Sequence, residues 1–195
     1  MKKVILIVAI LFGTIINAQV TSSDLDVENS IVNWKGFKPT GEHFGTISIT
    51  EGNLEINQEA LVGGSFVFDM NTIVDTDMPA DNKYNIQLVD HLKSADFFDV
   101  VKYPTAKFVI TSVKKVDGNL SISGDLTIKD VTKSITFSAS LTNTASVSTF
   151  KSEKFMVNRA DYNVTYKSKT FFNDLKDKFI NDEFEISFEV KTTHK

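Results

Sequence analysis

Alternation with a period of two constrains this chain more than any other feature. Leu120, Ile122, Gly124, Leu126 and Ile128 share one parity, and Asn119, Ser121, Ser123, Asp125, Thr127 and Lys129 share the other. Ile135, Phe137, Ala139 and Leu141 repeat the pattern against Ser134, Thr136, Ser138 and Ser140. Phe184, Ile186, Phe188 and Val190 repeat it again against Glu183, Glu185, Ser187 and Glu189. Successive side chains of an extended strand point to opposite faces, so each segment has one dry face and one wet face. A single wet face is the mark of antiparallel sheets, since parallel sheets are covered on both sides.

Read this way, the chain has strands near 30–38, 43–50, 53–57, 61–70, 105–116, 119–129, 133–143, 146–157 and 183–192. The count is eight or nine, because 43–57 also reads as one bent hairpin. Asp117-Gly118-Asn119 and Glu51-Gly52-Asn53 suit tight hairpins, and Lys129–Lys133 suits a short polar turn. Two segments break the pattern. In 79–103, Tyr84, Leu88, His91, Leu92 and Ala95 fall at helical spacing, and Pro104 ends the run. In 168–179, Phe171, Phe172, Leu175 and Phe179 form a stripe that predicts a second short helix. Many strands without a helical layer argue for an all-β fold closed into a barrel, which leaves no exposed sheet edge.

The first eighteen residues, MKKVILIVAILFGTIINA, read as a cleaved export signal. Lys2 and Lys3 precede an apolar run from Val4 to Phe12, which is too short for a comfortable membrane span. Cleavage is expected between Ala18 and Gln19, with residence in the bacterial periplasm or outside the cell. The chain holds no cysteine, which rules out a lipid-anchored cysteine, a disulfide and thiol chemistry. Residues 19–195 then form one domain, since no composition shift or repeat divides them. With no disulfide to help, that domain depends on packing, and fifteen of the chain's sixteen phenylalanines supply the material. The formal charge of −4 disfavours nucleic acid as a partner, because phosphates demand a basic face.

Catalytic patterns are missing. There is no Gly-x-Ser-x-Gly elbow, and Ser65 after Gly63-Gly64 sits within a strand pattern. No lysine stands at phosphate-loop spacing. The histidines, His43, His91 and His194, make no close-spaced ligand pair, so no metal site is expected. Asp75-Thr76-Asp77 and the acids of Asp174–Asp177 lack the glycine and terminal glutamate of a calcium loop, and read as solvated faces. No enzyme and no cofactor is expected. Arg159 continues the inward parity of Phe155 and Val157. It suits either a rim ion pair with Asp161 or Asp182, or the head group of an anionic ligand. The inward faces mix aromatics with gaps at Gly64, Ser112, Gly124 and Ala139. That mixture fits both a packed barrel and one with a ligand pocket.

Several separate motifs resemble one known family. His91-Leu92-Lys93-Ser94-Ala95-Asp96-Phe97-Phe98-Asp99 with Lys102-Tyr103-Pro104 and Phe108 is similar to the signature of the YceI-like proteins. So are Gly124–Lys133, Asn158-Arg159-Ala160-Asp161-Tyr162 and the opening Ser30-Ile31-Val32-Asn33-Trp34. The resemblance runs in order over residues 24–192. It implies an extended eight-stranded antiparallel lipocalin-like β-barrel with one or two short helices. It also implies non-catalytic binding or transport of a long-chain amphiphilic lipid, such as a polyisoprenoid or isoprenoid quinone, in an apolar cavity. Members often dimerise, so a homodimer is a further expectation. The alternative is an exported stress-response or adhesion-related protein whose barrel is filled. This sequence departs from the family in two places. Leu88-Val89-Asp90 keeps an acid but not the arginine before it, and Tyr162 stands where a phenylalanine is common. The side chains expected to line the cavity are Trp34, Phe66, Phe68, Leu92, Phe97, Phe98, Phe108, Ile110, Leu126, Phe137, Phe155, Phe172 and Phe188, with Arg159 as the head-group contact.

Overall fold

In the computed structural model, which describes residues 20–193, ten antiparallel strands form one sheet. They are β1 (Val20–Asp24), β2 (Ile31–Lys38), β3 (Gly41–Asn57), β4 (Ala60–Asp75), β5 (Thr105–Val116), β6 (Asn119–Ile128), β7 (Val131–Asn143), β8 (Val147–Ser152), β9 (Phe155–Asn158) and β10 (Glu183–Thr193). Eight of them close a ring in the order β3-β2-β10-β8-β7-β6-β5-β4, and β4 pairs back onto β3. The other two add length rather than circumference. β9 carries on the row of β8, so that Glu183–Ile186 of β10 face β9 and Glu189–Thr193 face β8. β1 lies along the far end of β3, from Val20 opposite Asn57 to Asp24 opposite Asn53. The chain is therefore an eight-stranded antiparallel barrel with a helix. The expected leader (residues 1–18), Gln19, His194 and Lys195 lie outside the described residues.

Local chemistry explains the joints. Three hairpins use two-residue turns with both central residues at positive φ: Gln58-Glu59, Asp117-Gly118 and Lys129-Asp130. That conformation matches the twist of the strands it connects. The hairpin expected at Glu51-Gly52-Asn53 does not form, and 41–57 is one long strand with register shifts. Gly52 serves close approach instead of a turn. A β-carbon there would stand 2.6 Å from the Ser65 carbonyl oxygen and 2.8 Å from the Leu25 side chain. Gly45 is tighter still, since its β-carbon would meet the Val74 carbonyl oxygen at 1.8 Å. That oxygen accepts a hydrogen bond from Trp34 Nε1 at 3.1 Å.

The first expected helix is present but short. α1 (Lys83–Lys93) begins at Asn82, whose side chain accepts from the Tyr84 amide, and ends at Ser94, whose hydroxyl donates to the His91 carbonyl. After it, the Phe98 amide donates to Leu92 O and the Val100 amide to Lys93 O, which lays Phe97 and Phe98 side by side. The second expected helix is absent. Of 168–179, only Lys176–Lys178 makes a single 3-10 turn, and Lys167 and Lys176 both have a φ of 48°. The segment makes only local turns, with the Phe171 and Phe172 amides donating to Ser168 O and the Lys178 amide to Leu175 O, and Arg159 fixes the residues on either side of it. The Arg159 guanidinium donates to the carbonyls of Val164 at 2.8 Å, Ile180 at 3.0 Å and Asn181 at 3.0 Å. Its NH2 group also lies 3.2 Å from Asp182 Oδ1.

Three measurable consequences follow from this packing. Gly45→Ala should cost stability at the upper end of the ~1–3 kcal/mol typical of overpacking. Gly36→Ala, where a β-carbon meets nothing within 4 Å, should cost under about 0.5 kcal/mol; urea melts of both variants compare them. Tyr162 is buried with its hydroxyl unpartnered, and burial followed by Asp161 pushes its pKa up to about 12. Tyr162→Phe should therefore raise stability by ~1–3 kcal/mol, the usual cost of an orphaned polar group. Burial opposes the charge of Asp182, but hydrogen bonds from Ser168 and Thr170 and the charge of Arg159 outweigh it and hold its pKa below the usual value. The resulting stability is present above the ordinary carboxylate pKa and is lost as pH falls through the depressed one. Asp182→Asn should therefore be less stable than the parent at pH 7, and the gap should narrow in melts taken at increasingly acidic pH.

Candidate functional site

The inward side chains leave two adjoining chambers. The inner one has a cavity volume of about 80 Å³, and every residue on its wall is apolar. Phe66, Phe68, Phe98, Phe108, Leu126, Phe137, Phe155 and Phe188 stand on that wall. Aromatic contacts shape it: Phe137 and Phe155 stack at 4.4 Å, and Phe66 and Phe108 lie parallel at 6.2 Å. The gap expected at Gly124 is filled by a neighbour, since a β-carbon there would be 2.3 Å from Phe108 Cζ.

The outer chamber, with a cavity volume of about 170 Å³, opens between the β2–β3 hairpin, α1 and the segment at 180–181. Trp34, Leu92, Phe97, Phe98 and Arg159 are on its wall. Three residues, Ile47, Phe98 and Phe184, belong to both walls and form the waist between the chambers. Phe98 reaches the waist because the turn after α1 is pinned from below: Lys129 Nζ donates to the Phe97 carbonyl at 2.9 Å and to Asn163 O at 3.2 Å.

Two expected wall residues lie elsewhere. Ile110 is buried but lines neither chamber; it packs beside Gly64, whose β-carbon would be 3.5 Å from Ile110 Cδ1. Phe172 is 49 % exposed and sits in a shallow outer depression with Ala95, Lys129 and Leu175. Its inward placement depended on a helical stripe that does not form. Arg159 faces the outer chamber, with Phe97 5.4 Å beneath its guanidinium. Its hydrogen bonds are nonetheless spent on three backbone carbonyls and its charge is matched by Asp182, so of the two roles open to it the structure shows the rim ion pair.

Other wall residues carried a usable signal. Ile128, Phe184, Ile186 and Val190 share the inward parity already visible in the sequence, and Met70 extends the parity of Phe66 and Phe68. The polar rim of the outer chamber, Lys38, His43, His91 and Asn181, carried none, because it is assembled from distant segments. His91 is held edge-on between Tyr166 at 4.4 Å and Phe97 at 5.3 Å. His43 Nδ1 lies 3.1 Å from Asp77 Oδ2. The run Asp75-Thr76-Asp77 is not the solvated loop expected, since Asp75 is only 5 % exposed. Burial, then the neighbouring Asp77, push the Asp75 pKa up to about 6; burial also opposes the charge of Asp77, but its neighbours Asp75, the Phe44 amide and His43 outweigh it and hold its pKa below the usual value.

Comparison with known proteins places this barrel. Protein YceI of Escherichia coli O157:H7 is 43% identical over 90 residues, which span 40% of this chain and 44% of that one. A UPF0312 protein of Pseudomonas putida is 40% identical over 94 residues, spanning 41% of this chain and 49% of its own. The matched stretches thus cover less than half the length of these relatives. Among solved structures, Burkholderia cenocepacia BcnA superposes with a TM-score of 0.64 at 20% identity, covering 87% of this chain and 99% of its own. A polyisoprenoid binding domain from Saccharophagus degradans gives 0.63 at 15% identity, covering 91% and 100%. These two share the fold. A model of the YceI-like domain matches residues 24–192, from the end of β1 almost to the end of β10, and the chain accordingly belongs to the YceI-like domain family.

Proposed function

We propose that this protein binds a long-chain amphiphilic lipid, such as a polyisoprenoid or an isoprenoid quinone, inside its barrel and carries it without chemical change. One observation carries the reading: a wholly apolar inner chamber adjoins, across the shared residues Ile47, Phe98 and Phe184, an outer chamber that has polar groups at its rim. A ligand with a long thin tail and a polar head fits that order of surfaces. Burying a chain of about twenty carbons at ~0.8 kcal/mol per methylene offers ~16 kcal/mol gross. Association costs ~4–15 kcal/mol, so tight binding needs a dry tunnel and no catalytic group. The polyisoprenoid-binding domain that shares this fold supports the choice of ligand class. We further place the protein in the periplasm or outside the cell, on the strength of the leader MKKVILIVAILFGTIINA.

The second reading is a filled barrel in an exported stress-response or adhesion-related protein. It draws on the contacts of Phe188 with Phe66, Phe137, Phe150 and Phe155, at 5.3–6.4 Å, which occupy part of the barrel's width.

Native mass spectrometry of protein purified from its own host should find one co-purifying lipid with a long apolar chain. Ala106, buried on the inner wall, offers a control. Ala106→Phe should lower affinity for an added prenyl alcohol by about tenfold or more, the equivalent of ~1.4 kcal/mol, in a variant shown by circular dichroism to be folded. A protein that carries no lipid and also ignores added isoprenoids would establish the second reading in place of the first.

A further inference from the structure

The rim holds a cluster that the lipid reading leaves unused. Register brings it together: Gly45 of β3 pairs with Asp75 of β4, and beyond that pair the Thr76 amide donates to Phe44 O at 2.9 Å. His43 is thereby set against Asp75 and Asp77. Its Nδ1 lies 3.1 Å and 3.4 Å from the two Asp77 oxygens and 3.9 Å from Asp75 Oδ2. One nitrogen and one oxygen from each acid all fall within 4.8 Å of one another.

The carboxylate of Asp75 is what makes this more than an acidic patch. Its side chain is 0 % exposed. Oδ1 is satisfied, accepting from the Met78 amide at 3.1 Å and from Asn85 Nδ2 at 3.2 Å. Oδ2 is buried, accepts no hydrogen bond, and points to the space between His43 and Asp77. A buried carboxylate oxygen without a partner is costly, and such atoms call for a ligand or a proton. The other members are oriented from behind. Asn85 fixes Asp75, and the Phe44 amide donates to Asp77 Oδ1 at 3.2 Å. Outer groups of this kind hold first ligands in place around bound metals.

We propose that His43 Nδ1, Asp75 Oδ2 and Asp77 bind one divalent transition-metal ion of the zinc type at the rim of the barrel. Bonds of ~2.0–2.2 Å in tetrahedral geometry set neighbouring ligand atoms ~3.3–3.6 Å apart. The observed 3.1 Å and 3.9 Å bracket that spacing. Calcium is a poorer match, since it takes about 6–8 oxygen ligands and this cluster offers an imidazole and two acids. Lys38 supplies an internal competitor. Its ammonium lies 3.1 Å from His43 Nε2 and can only donate, so Nε2 accepts and the ring proton sits on Nδ1, facing Asp77. A cation at Nδ1 displaces that proton to Nε2 and drives Lys38 off the ring.

The test is zinc titration of untagged, chelator-stripped protein by calorimetry, with thermal melting alongside. The parent should bind one equivalent of zinc, prefer it to calcium, and melt at a higher temperature when loaded. Asp75→Asn should lose about 100-fold or more in zinc affinity and lose the zinc-dependent rise in melting temperature. Its metal-free form should still unfold cooperatively, because the amide keeps an acceptor for Met78 and Asn85. Lys38→Ala should bind zinc more tightly than the parent, and His194→Ala equally tightly. Absence of a one-to-one site, a preference for calcium, or unchanged affinity in Asp75→Asn would overturn the assignment. Weaker binding in Lys38→Ala would overturn Nδ1 as the ligand atom.

Discussion

The pairing of β4 back onto β3 turns a meander of hairpins into a ring, and every other property of the molecule depends on that closure. Without it the two strands would be edges, and their unpaired backbone groups would invite association with other chains. With it, one face of all eight strands becomes an interior. The closure also brings the backbones close at Gly45, Gly52 and Gly64, each set against a carbonyl oxygen of the facing strand. Glycine there is a requirement of distance. The register shifts along β3 let a strand of 17 residues follow the curve of the ring.

Much of this was legible from alternation alone. Parity in β6, β7 and β10 identified the interior faces, because a half-buried strand must place apolar residues on every second position. The turn residues Asp117-Gly118 and Lys129-Asp130 were legible for the same local reason. What escaped was non-local. Glu51-Gly52-Asn53 has the composition of a turn, but it runs on as strand, with Ser65 of β4 and Leu25, just after β1, packed close against Gly52. Phe171, Phe172, Leu175 and Phe179 have helical spacing, yet the segment makes only local turns between flanks whose carbonyls, at Val164, Ile180 and Asn181, are bound by the distant Arg159. Phe172 was misplaced as a consequence.

The rim shows the same limit from the side of function. His43 is separated from Asp75 by a whole hairpin, so no spacing rule links them; only the β3–β4 register does. By its own polarity the run Asp75-Thr76-Asp77 is a solvated loop, but its neighbours bury Asp75. A segment's hydrophobic pattern reports which way its side chains face. It does not report which distant side chain will face them, and sites made of single residues from separate strands depend on the second kind of information.

The nesting of Phe108 against Gly124 bears on how such a barrel can diverge. The two residues belong to neighbouring strands, and the ring fills the volume that any side chain at 124 would need. The dependence runs one way: a smaller residue at 108 leaves a void beside 124, but it does not free 124 to grow, because a β-carbon there would also stand 2.6 Å from the Val109 carbonyl oxygen. The chamber can therefore be widened at this level by shrinking the ring at 108, while the backbone opposite fixes the floor it stands on.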